Sequence, residues 1–99
     1  FVDVTIQSYR HRFGYAPGDP ALEPIEQKLA ARPKIIVPTI ALQGEADGVA
    51  PAQAFDPHAG LFAGPYQRRL LPKVGHNPPQ EAPGAFADAI LELTRGVRL

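Results

Sequence analysis

The sequence predicts an α/β fold in which two parallel strands, flanked by helices, form an incomplete sheet. Two segments with a helical spacing of apolar residues come first, a β-branched run follows, and a short strand and a last helix close the chain. Strands joined by a long connection and followed by helices are typical of parallel pairing. Two strands do not make a stable parallel sheet, because their open edges and faces need neighbours. We therefore expect these residues to complete a larger sheet.

The first helix is predicted over residues 2–13. Its apolar side chains are spaced four, three and four residues apart, which places them in one stripe on a helix. They are Val2, Ile6, Tyr9 and Phe13. Gly14 is a suitable C-terminal stop.

A second helix is predicted to begin at Asp19-Pro20 and to end near Arg32-Pro33. The Asp side chain can cap free amides, and Pro occupies a first turn without losing a hydrogen bond. The buried face of this helix is expected to consist of Leu22, Ile25 and Leu29.

A β-branched run over residues 34–42 predicts a strand that is buried on both faces of a sheet. Pro38 lies within the run and cannot donate a ladder hydrogen bond, so the paired part of the strand is predicted over residues 39–43. A loop over residues 44–51 follows.

The remaining chain predicts one more strand and one more helix. Residues 52–62 suit a short helix broken at Asp56-Pro57, and residues 66–71 suit a second strand. A loop rich in Gly and Pro over residues 72–79 leads into the last helix, over residues 80–95.

A carboxylate and an imidazole follow the two predicted strands. Asp47 comes after the first strand, with Gly44 permitting a tight turn, and His76 comes after the second, with Gly75 letting the backbone bend. Ligands of open α/β sheets bind outside the carboxyl ends of the strands. In a nucleophilic hydrolase, a histidine takes a proton from the nucleophile or from water, and a carboxylate fixes its tautomer. The two residues therefore predict the acid and base of a catalytic triad.

The two loops also resemble a known family. Residues 37–51, Val-Pro-Thr-Ile-Ala-Leu-Gln-Gly-Glu-Ala-Asp-Gly-Val-Ala-Pro, resemble the last-but-one strand and acid loop of α/β-hydrolase-fold enzymes. Residues 70–83, Leu-Leu-Pro-Lys-Val-Gly-His-Asn-Pro-Pro-Gln-Glu-Ala-Pro, resemble their last strand and histidine loop. The family order along the chain is nucleophile, acid, histidine. The resemblance implies that Asp47 is the acid and His76 the base.

On this resemblance, the chain is the C-terminal part of an α/β-hydrolase fold. Residues 1–32 resemble the end of a helical cap segment, and residues 33–99 resemble the C-terminal part of the core. The nucleophile is expected upstream of Phe1, together with the rest of the core as a partner. A Ser nucleophile would imply cleavage of esters, thioesters or activated C–C bonds, whereas an Asp nucleophile would imply opening of epoxides or displacement of halide. The chain alone is expected to be inactive.

Four further residues are candidates for contact with a small-molecule substrate. Tyr9, Arg10 and His11 lie on the first helix, where they could face a substrate carboxylate, although a solvated polar face explains them as well. Asn77 stands directly after the histidine, where many family members have an aromatic residue.

These polar residues also have explanations that need no catalytic role. Asp47 alone fits a turn-forming Asp, and His76 alone fits a surface histidine in a Gly/Pro loop. Glu45 and His58 are expected to be solvated loop residues. Arg68 and Arg69 are expected to point to opposite faces of the second strand without a functional role.

Composition excludes several classes of function. The formal charge is zero, from ten basic and ten acidic side chains, so nothing attracts nucleic acid or an anionic membrane over long range. The absence of cysteine excludes disulfides and thiolate metal sites in these residues and fits a cytoplasmic protein. Three scattered histidines give no spacing for a zinc site, and no organic cofactor or metal is expected.

Two other hypotheses compete with the hydrolase. One is a non-catalytic binding protein with the α/β-hydrolase fold, because a fold does not dictate a function. The other is an independent small interaction domain of 99 residues. The joint presence of Asp47 and His76 favours the enzyme, because a receptor does not need the pair.

Overall fold

The computed structural model describes residues 1–96 in two compact units. The first unit is Phe1–Pro33, and the second begins at Lys34. This division lies one residue from the predicted boundary between cap and core. The assignment of the two units to a cap and a core stays a prediction.

The first unit contains two α-helices and a single 3₁₀ turn. Helix α1 spans Val2–Arg12, and Gly14 follows it with a φ of 81°, as expected of a helix stop. The 3₁₀ turn spans Pro20–Leu22 and helix α2 spans Glu23–Ala30. Asp19 caps this segment as predicted, because its side chain accepts a 2.9 Å hydrogen bond from the backbone of Ala21.

The prediction of one continuous helix from Pro20 to Arg32 is wrong. Pro24 occupies the first turn of α2. A proline has no N–H for a bond to the preceding turn, so the α-helix begins anew at Glu23. At the other end, Arg32 adopts a φ of 50°, which is outside the helical range.

The apolar stripes of both helices are exposed, whereas the stripe of α2 was expected to be a buried face. On α1, the exposed fractions run from 43% for Ile6 to 66% for Val2 and Phe13. Leu22, Ile25 and Leu29 are each at least half exposed. Two short helices and a turn provide too little surface to cover two apolar stripes.

The second unit contains a two-stranded parallel sheet, as predicted. Strand β1 spans Thr39–Gly44 and β2 spans Tyr66–Leu71. Thr39 is opposite Tyr66, and Gly44 is opposite Leu71. The bounds of β2 match the prediction, and β1 is one residue longer than predicted. An isolated bridge pairs Ile35 with Phe62, so the ladder is interrupted around Pro38.

The predicted short helix over residues 52–62 is wrong. Only Ala59–Leu61 form a 3₁₀ turn in this segment. The Asp56 side chain instead bonds to the backbone two residues further on, since its Oδ1 accepts a 2.9 Å hydrogen bond from the N–H of His58. Such a bond competes with a helix.

The last helix is divided into two. Helix α3 spans Pro78–Glu81 and α4 spans Pro83–Gly96, so the continuous helix predicted over residues 80–95 is wrong. Pro83 causes the break, because a proline disfavours the helical conformation of the residue before it.

The core of the second unit lies between α4 and the sheet. Ala89 of α4 and Val74 of the loop after β2 are its buried apolar residues. Strand β1 is half-buried along most of its length rather than buried on both faces. Its Ile40 and Leu42 line an apolar hollow together with Phe86 of α4.

The two arginines of β2 hold the strand to its neighbours. Arg68 donates a 3.0 Å hydrogen bond to the carbonyl oxygen of Gln53. Arg69 forms an ion pair with Glu92 of α4.

Across residues 1–96, no helix is both long and apolar enough to cross a lipid bilayer.

Candidate active site

The end of β1 leads into a loop that fixes the carboxylate of Asp47. Its Oδ1 accepts hydrogen bonds from the backbone N–H groups of Val49, at 2.8 Å, and of Ala50, at 2.9 Å. The side chain is only 6% exposed. The turn that Asp47 forms therefore leaves its second oxygen, Oδ2, free to face another group.

Backbone hydrogen bonds join this loop to the loop after β2. The N–H of Glu45 donates to the carbonyl oxygen of Leu71 at 2.9 Å, and the N–H of Ala46 donates to that of Val74 at 2.8 Å. The first bond lies at the end of the strand ladder, and the second joins the two loops beyond it. They bring the loops that carry the predicted acid and base side by side.

Gly44 allows the two loops to approach each other. A Cβ atom at this position would lie 2.2 Å from the carbonyl oxygen of Gly75 and 2.3 Å from that of Val74. Both atoms belong to the backbone, so neither can move aside cheaply. The tight turn predicted at Gly44 is present, because the N–H of Asp47 bonds to the carbonyl oxygen of Gly44 at 3.3 Å, and the glycine also permits this close packing.

His76 and Asp47 are in direct contact. The ring Nδ1 of His76 lies 2.9 Å from Oδ2 of Asp47. The His76 side chain is 51% exposed, whereas its partner is buried. The geometry thus joins one buried carboxylate to one imidazole that remains open to solvent.

The protonation of Asp47 decides which ring nitrogen carries the proton. The N–H of Ala50 lowers the pKa of the Asp47 carboxyl most, the hydrogen bond from His76 lowers it further, and burial opposes both. Asp47 is therefore ionised at neutral pH and can only accept hydrogen bonds. The proton must lie on Nδ1 of His76, which leaves the lone pair on Nε2. Nε2 can then accept a proton from water or from a nucleophile.

A backbone turn directs the chain from β2 towards His76. The N–H of Val74 bonds to the carbonyl oxygen of Leu71 at 3.4 Å, and Lys73 between them has a φ of 62°. Positive φ is uncommon for a residue other than glycine. The backbone also bends at His76, directly after Gly75 as the sequence predicted, although the φ of Gly75 is not positive. The left-handed residue of this loop is Lys73.

Glu81, the last residue of α3, also contacts the histidine loop. Its Oε1 accepts the N–H of Gly75 at 3.0 Å, and its Oε2 accepts the N–H of Asn77 at 3.1 Å. The sequence did not point to this residue. The usual pattern places the carboxylate that reaches back to the capping residue at the third position of the helix, which is Gln80 here, whereas Glu81 is the fourth.

The candidate substrate-binding residues lie in different places. Arg10 and His11 line a cleft of about 930 Å³ within the first unit, and His11 Nδ1 lies 3.3 Å from the carbonyl oxygen of Ala16. Tyr9 stacks on Phe13, with ring centroids 6.4 Å apart. Asn77 is exposed beside His76. Their role in binding a substrate stays a prediction.

Two further polar residues lie where a non-catalytic role predicts them. Glu45 and His58 are exposed, as expected of solvated loop residues. Within residues 1–96, no group of three His, Cys, Asp or Glu side chains could hold a metal ion.

A second polar pair lies away from the histidine. The hydroxyl of Tyr66 donates a 2.6 Å hydrogen bond to Oδ2 of Asp56. This bond is the largest cause both of the lowered pKa of the Asp56 carboxyl and of the raised pKa of the Tyr66 phenol. The ring of Phe62 also stacks on that of Tyr66, with centroids 4.0 Å apart. Both contacts hold the connection between β1 and β2 against β2.

We predict that Tyr66 titrates above its ordinary pKa of 10.0. A folded-state pKa above the unfolded value means that the bond stabilises the fold below pH 10.0 and that this contribution is lost as the pH rises further. Phenolate absorbance of the wild type minus that of Tyr66→Phe isolates the residue. Asp56→Asn should shift the difference curve to lower pH, and an unchanged curve would contradict the assignment.

Comparison with known proteins supports the fold class of this chain. No family model matches the chain. Its structure superimposes on part of a crystal structure with a TM-score of 0.86 and 46% sequence identity, over 95% of this chain. The chain belongs to the α/β-hydrolase fold family, and the predicted fold class is confirmed.

Both relatives carry the name of one kind of hydrolase. The crystal structure is that of a candidate epoxide hydrolase from Klebsiella pneumoniae subsp. pneumoniae MGH 78578. The curated relative is epoxide hydrolase A of Mycobacterium tuberculosis (strain ATCC 25618 / H37Rv), which is 37% identical over 65 residues, or 66% of this chain. The chain spans 20% of the length of the curated relative and 31% of the solved one.

Proposed function

We propose that this chain is the C-terminal part of a hydrolase and supplies the acid, Asp47, and the base, His76, of its catalytic triad. The observation that carries the proposal is the 2.9 Å contact between Nδ1 of His76 and Oδ2 of Asp47. The other carboxylate oxygen is held by two backbone amides, so the ring is oriented by a fixed partner. Such a carboxylate keeps the imidazole in the tautomer that leaves Nε2 basic.

The names of the relatives favour an epoxide as the substrate. Opening of an epoxide fits an Asp nucleophile, located on sequence upstream of Phe1. Its carboxylate oxygen attacks an epoxide carbon, the C–O bond breaks, and the alkoxide takes a proton from an acidic group of the full-length enzyme. The product of this step is an ester between enzyme and substrate.

His76 acts in the second step. Nε2 takes a proton from water as the water oxygen attacks the carbonyl carbon of the ester. The ester C–O bond breaks, the diol leaves, and the Asp nucleophile is restored as a carboxylate. The imidazolium then returns its proton to the group that protonated the alkoxide, so the net reaction is epoxide plus water to diol.

The two units fit different parts of such an enzyme. We propose that residues 1–32 are the end of a cap that offers Tyr9, Arg10 and His11 to the substrate, and that residues 33–99 complete the core. The exposed stripes of α1 and α2 and the half-buried faces of β1 support a larger assembly, because apolar surface of this extent is normally covered.

We predict that His76→Gln in the full-length protein lowers kcat for an epoxide by about 10²–10⁴-fold, the usual contribution of a general base. Ester formation does not need this base, so the alkylated enzyme should accumulate. Intact-protein mass spectrometry after a single turnover would detect it as enzyme plus substrate.

His58→Gln is the matched control, because His58 is exposed and lies in a different loop. It should turn over at the wild-type rate. An unchanged rate for His76→Gln would contradict the role of His76 as the base, whereas a wild type that turns over no substrate would favour a binding protein. Turnover of an ester but not of an epoxide would instead indicate a Ser nucleophile. The isolated 99-residue chain should be inactive with both substrates.

A further inference from the structure

Glu81 holds the histidine loop at two points, one on each side of His76. Its two carboxylate oxygens accept the N–H groups of Gly75 and Asn77, at 3.0 Å and 3.1 Å. Both bonds have an ionised acceptor, and such bonds are stronger than those between neutral groups. The backbone of the residue that bears the imidazole is therefore tied at both of its ends to a single side chain.

Gly75 is the residue against which this carboxylate packs. A Cβ atom at position 75 would lie 3.0 Å from Oε2 and 3.1 Å from Oε1 of Glu81, which is closer than ordinary van der Waals contact. The absence of a side chain therefore lets the carboxylate reach both amides.

The same bonds connect His76 to the strand that carries its acid. Glu81 ends α3, and both α3 and α4 contact β1. Strand β1 leads through Gly44 to Asp47, whose carboxylate meets the ring of His76. A closed path thus runs from β1 to Asp47, to the imidazole, to Glu81 and through the helices back to β1.

We propose that Glu81 is a positioning residue that fixes the imidazole of His76 for its hydrogen bond to Asp47. The role in turnover rests on the proposed function, whereas the effect on the imidazole does not. The ring is half exposed, and in the part of the chain that the structure describes its hydrogen-bond partner is Asp47. The loop backbone must therefore supply the remaining constraint on where the ring lies.

A purely structural role for Glu81, as a cap of the four-residue α3, makes a different prediction. Loss of a helix cap lowers stability but leaves the geometry of a folded site unchanged. A positioning role changes the hydrogen bond of Nδ1 in molecules that are still folded. The experiment must therefore report on that bond.

The variants are Glu81→Gln and Glu45→Gln in the full-length protein. Gln keeps the shape of Glu but presents an NH₂ group to one of the two amides, so only one bond can persist. Glu45 is an exposed carboxylate in the Asp47 loop. It therefore controls for the loss of one negative charge near the site.

Proton NMR of the imidazole gives the first measurement. The Nδ1 proton of His76 is assigned by the loss of its resonance in His76→Gln. In the wild type it should exchange slowly with solvent, and its resonance should be shifted downfield. We expect this resonance to broaden or disappear in Glu81→Gln and to stay sharp in Glu45→Gln, at a temperature where both are folded.

Kinetics and a second variant give the other measurements. A displacement of about 1 Å in a catalytic group can cost up to about 10²-fold in rate, so we expect kcat of Glu81→Gln to fall about 10- to 100-fold with KM within about twofold. Gly75→Ala should lower kcat in the wild type but have no further effect in Glu81→Gln, because both changes break the same contact.

The outcomes separate this inference from the proposed function. An unchanged Nδ1 resonance together with an unchanged kcat in Glu81→Gln would overturn the positioning role, even if His76→Gln is inactive. If instead no epoxide or ester is turned over by the wild type, the proposed function fails, and the NMR result alone decides the role of Glu81.

Discussion

Asp47→Asn should lower kcat of the full-length protein by about 10⁴-fold, the size of loss that an amide in place of a triad carboxylate produces. The Asn side-chain oxygen can still accept the N–H groups of Val49 and Ala50, which bond to Oδ1 in the wild type. Its NH₂ group then faces Nδ1 of His76 and must donate to it. The ring proton moves to Nε2, and the base is lost.

Steady-state kinetics and imidazole ¹⁵N shifts check this result together. The kinetics measure the fall in kcat, and the nitrogen chemical shifts show whether the ring proton of His76 has moved from Nδ1 to Nε2. Asp56→Asn is the matched control, because Asp56 also accepts a backbone N–H and a side-chain donor in a loop of the same unit. We expect its kcat to stay near the wild-type value. A kcat for Asp47→Asn within about tenfold of wild type would refute the assigned tautomer.

The strands and the pairing of the two loops could be predicted from sequence because each depends on local signals. The β-branched run and the position of Pro38 defined β1, and the bounds of β2 were predicted correctly. Parallel strands place their carboxyl ends at one edge, so residues that follow them become neighbours. The contact between Asp47 and His76 follows from that topology.

The breaks in the helices had visible causes that the periodicity of apolar residues concealed. Pro24 lies within an apolar pattern whose spacing continues across it, and Pro83 lies within the predicted last helix but before its periodic apolar residues. Periodicity reports which residues share a face, whereas proline determines where the hydrogen-bond ladder can begin. Where the two signals disagree, the position of a proline should therefore decide where a helix begins or ends.

Other features depend on contacts that the sequence does not encode locally. The bend at Lys73 carries no glycine, and neither its positive φ nor the double contact of Glu81 can be derived from composition. The exposure of the stripe on α1 is of the same kind, because the spacing of apolar residues shows a face that suits burial but does not name what covers it.

Gly44→Ala should be the most damaging substitution that leaves every polar group of the site in place. The added Cβ would lie 2.2 Å and 2.3 Å from two carbonyl oxygens of the histidine loop. Overpacking typically costs about 1–3 kcal/mol, and we expect about 3 kcal/mol here because the neighbours are backbone atoms that cannot change rotamer. Relief of the clash must push the loops apart, so the contact between Asp47 and His76 should lengthen as well.

Gly48→Ala separates this steric effect from the general cost of replacing glycine. Gly48 lies in the same loop, and a Cβ atom there would have no neighbour within 4 Å. Urea unfolding should give Gly48→Ala a free energy of unfolding equal to or slightly above that of the wild type, because alanine restricts the unfolded chain. Gly44→Ala should unfold at lower urea and lose about 10²-fold in kcat, as expected for a catalytic group moved by about 1 Å. Equal unfolding free energies for the two variants would show that the loops do not depend on close approach at Gly44.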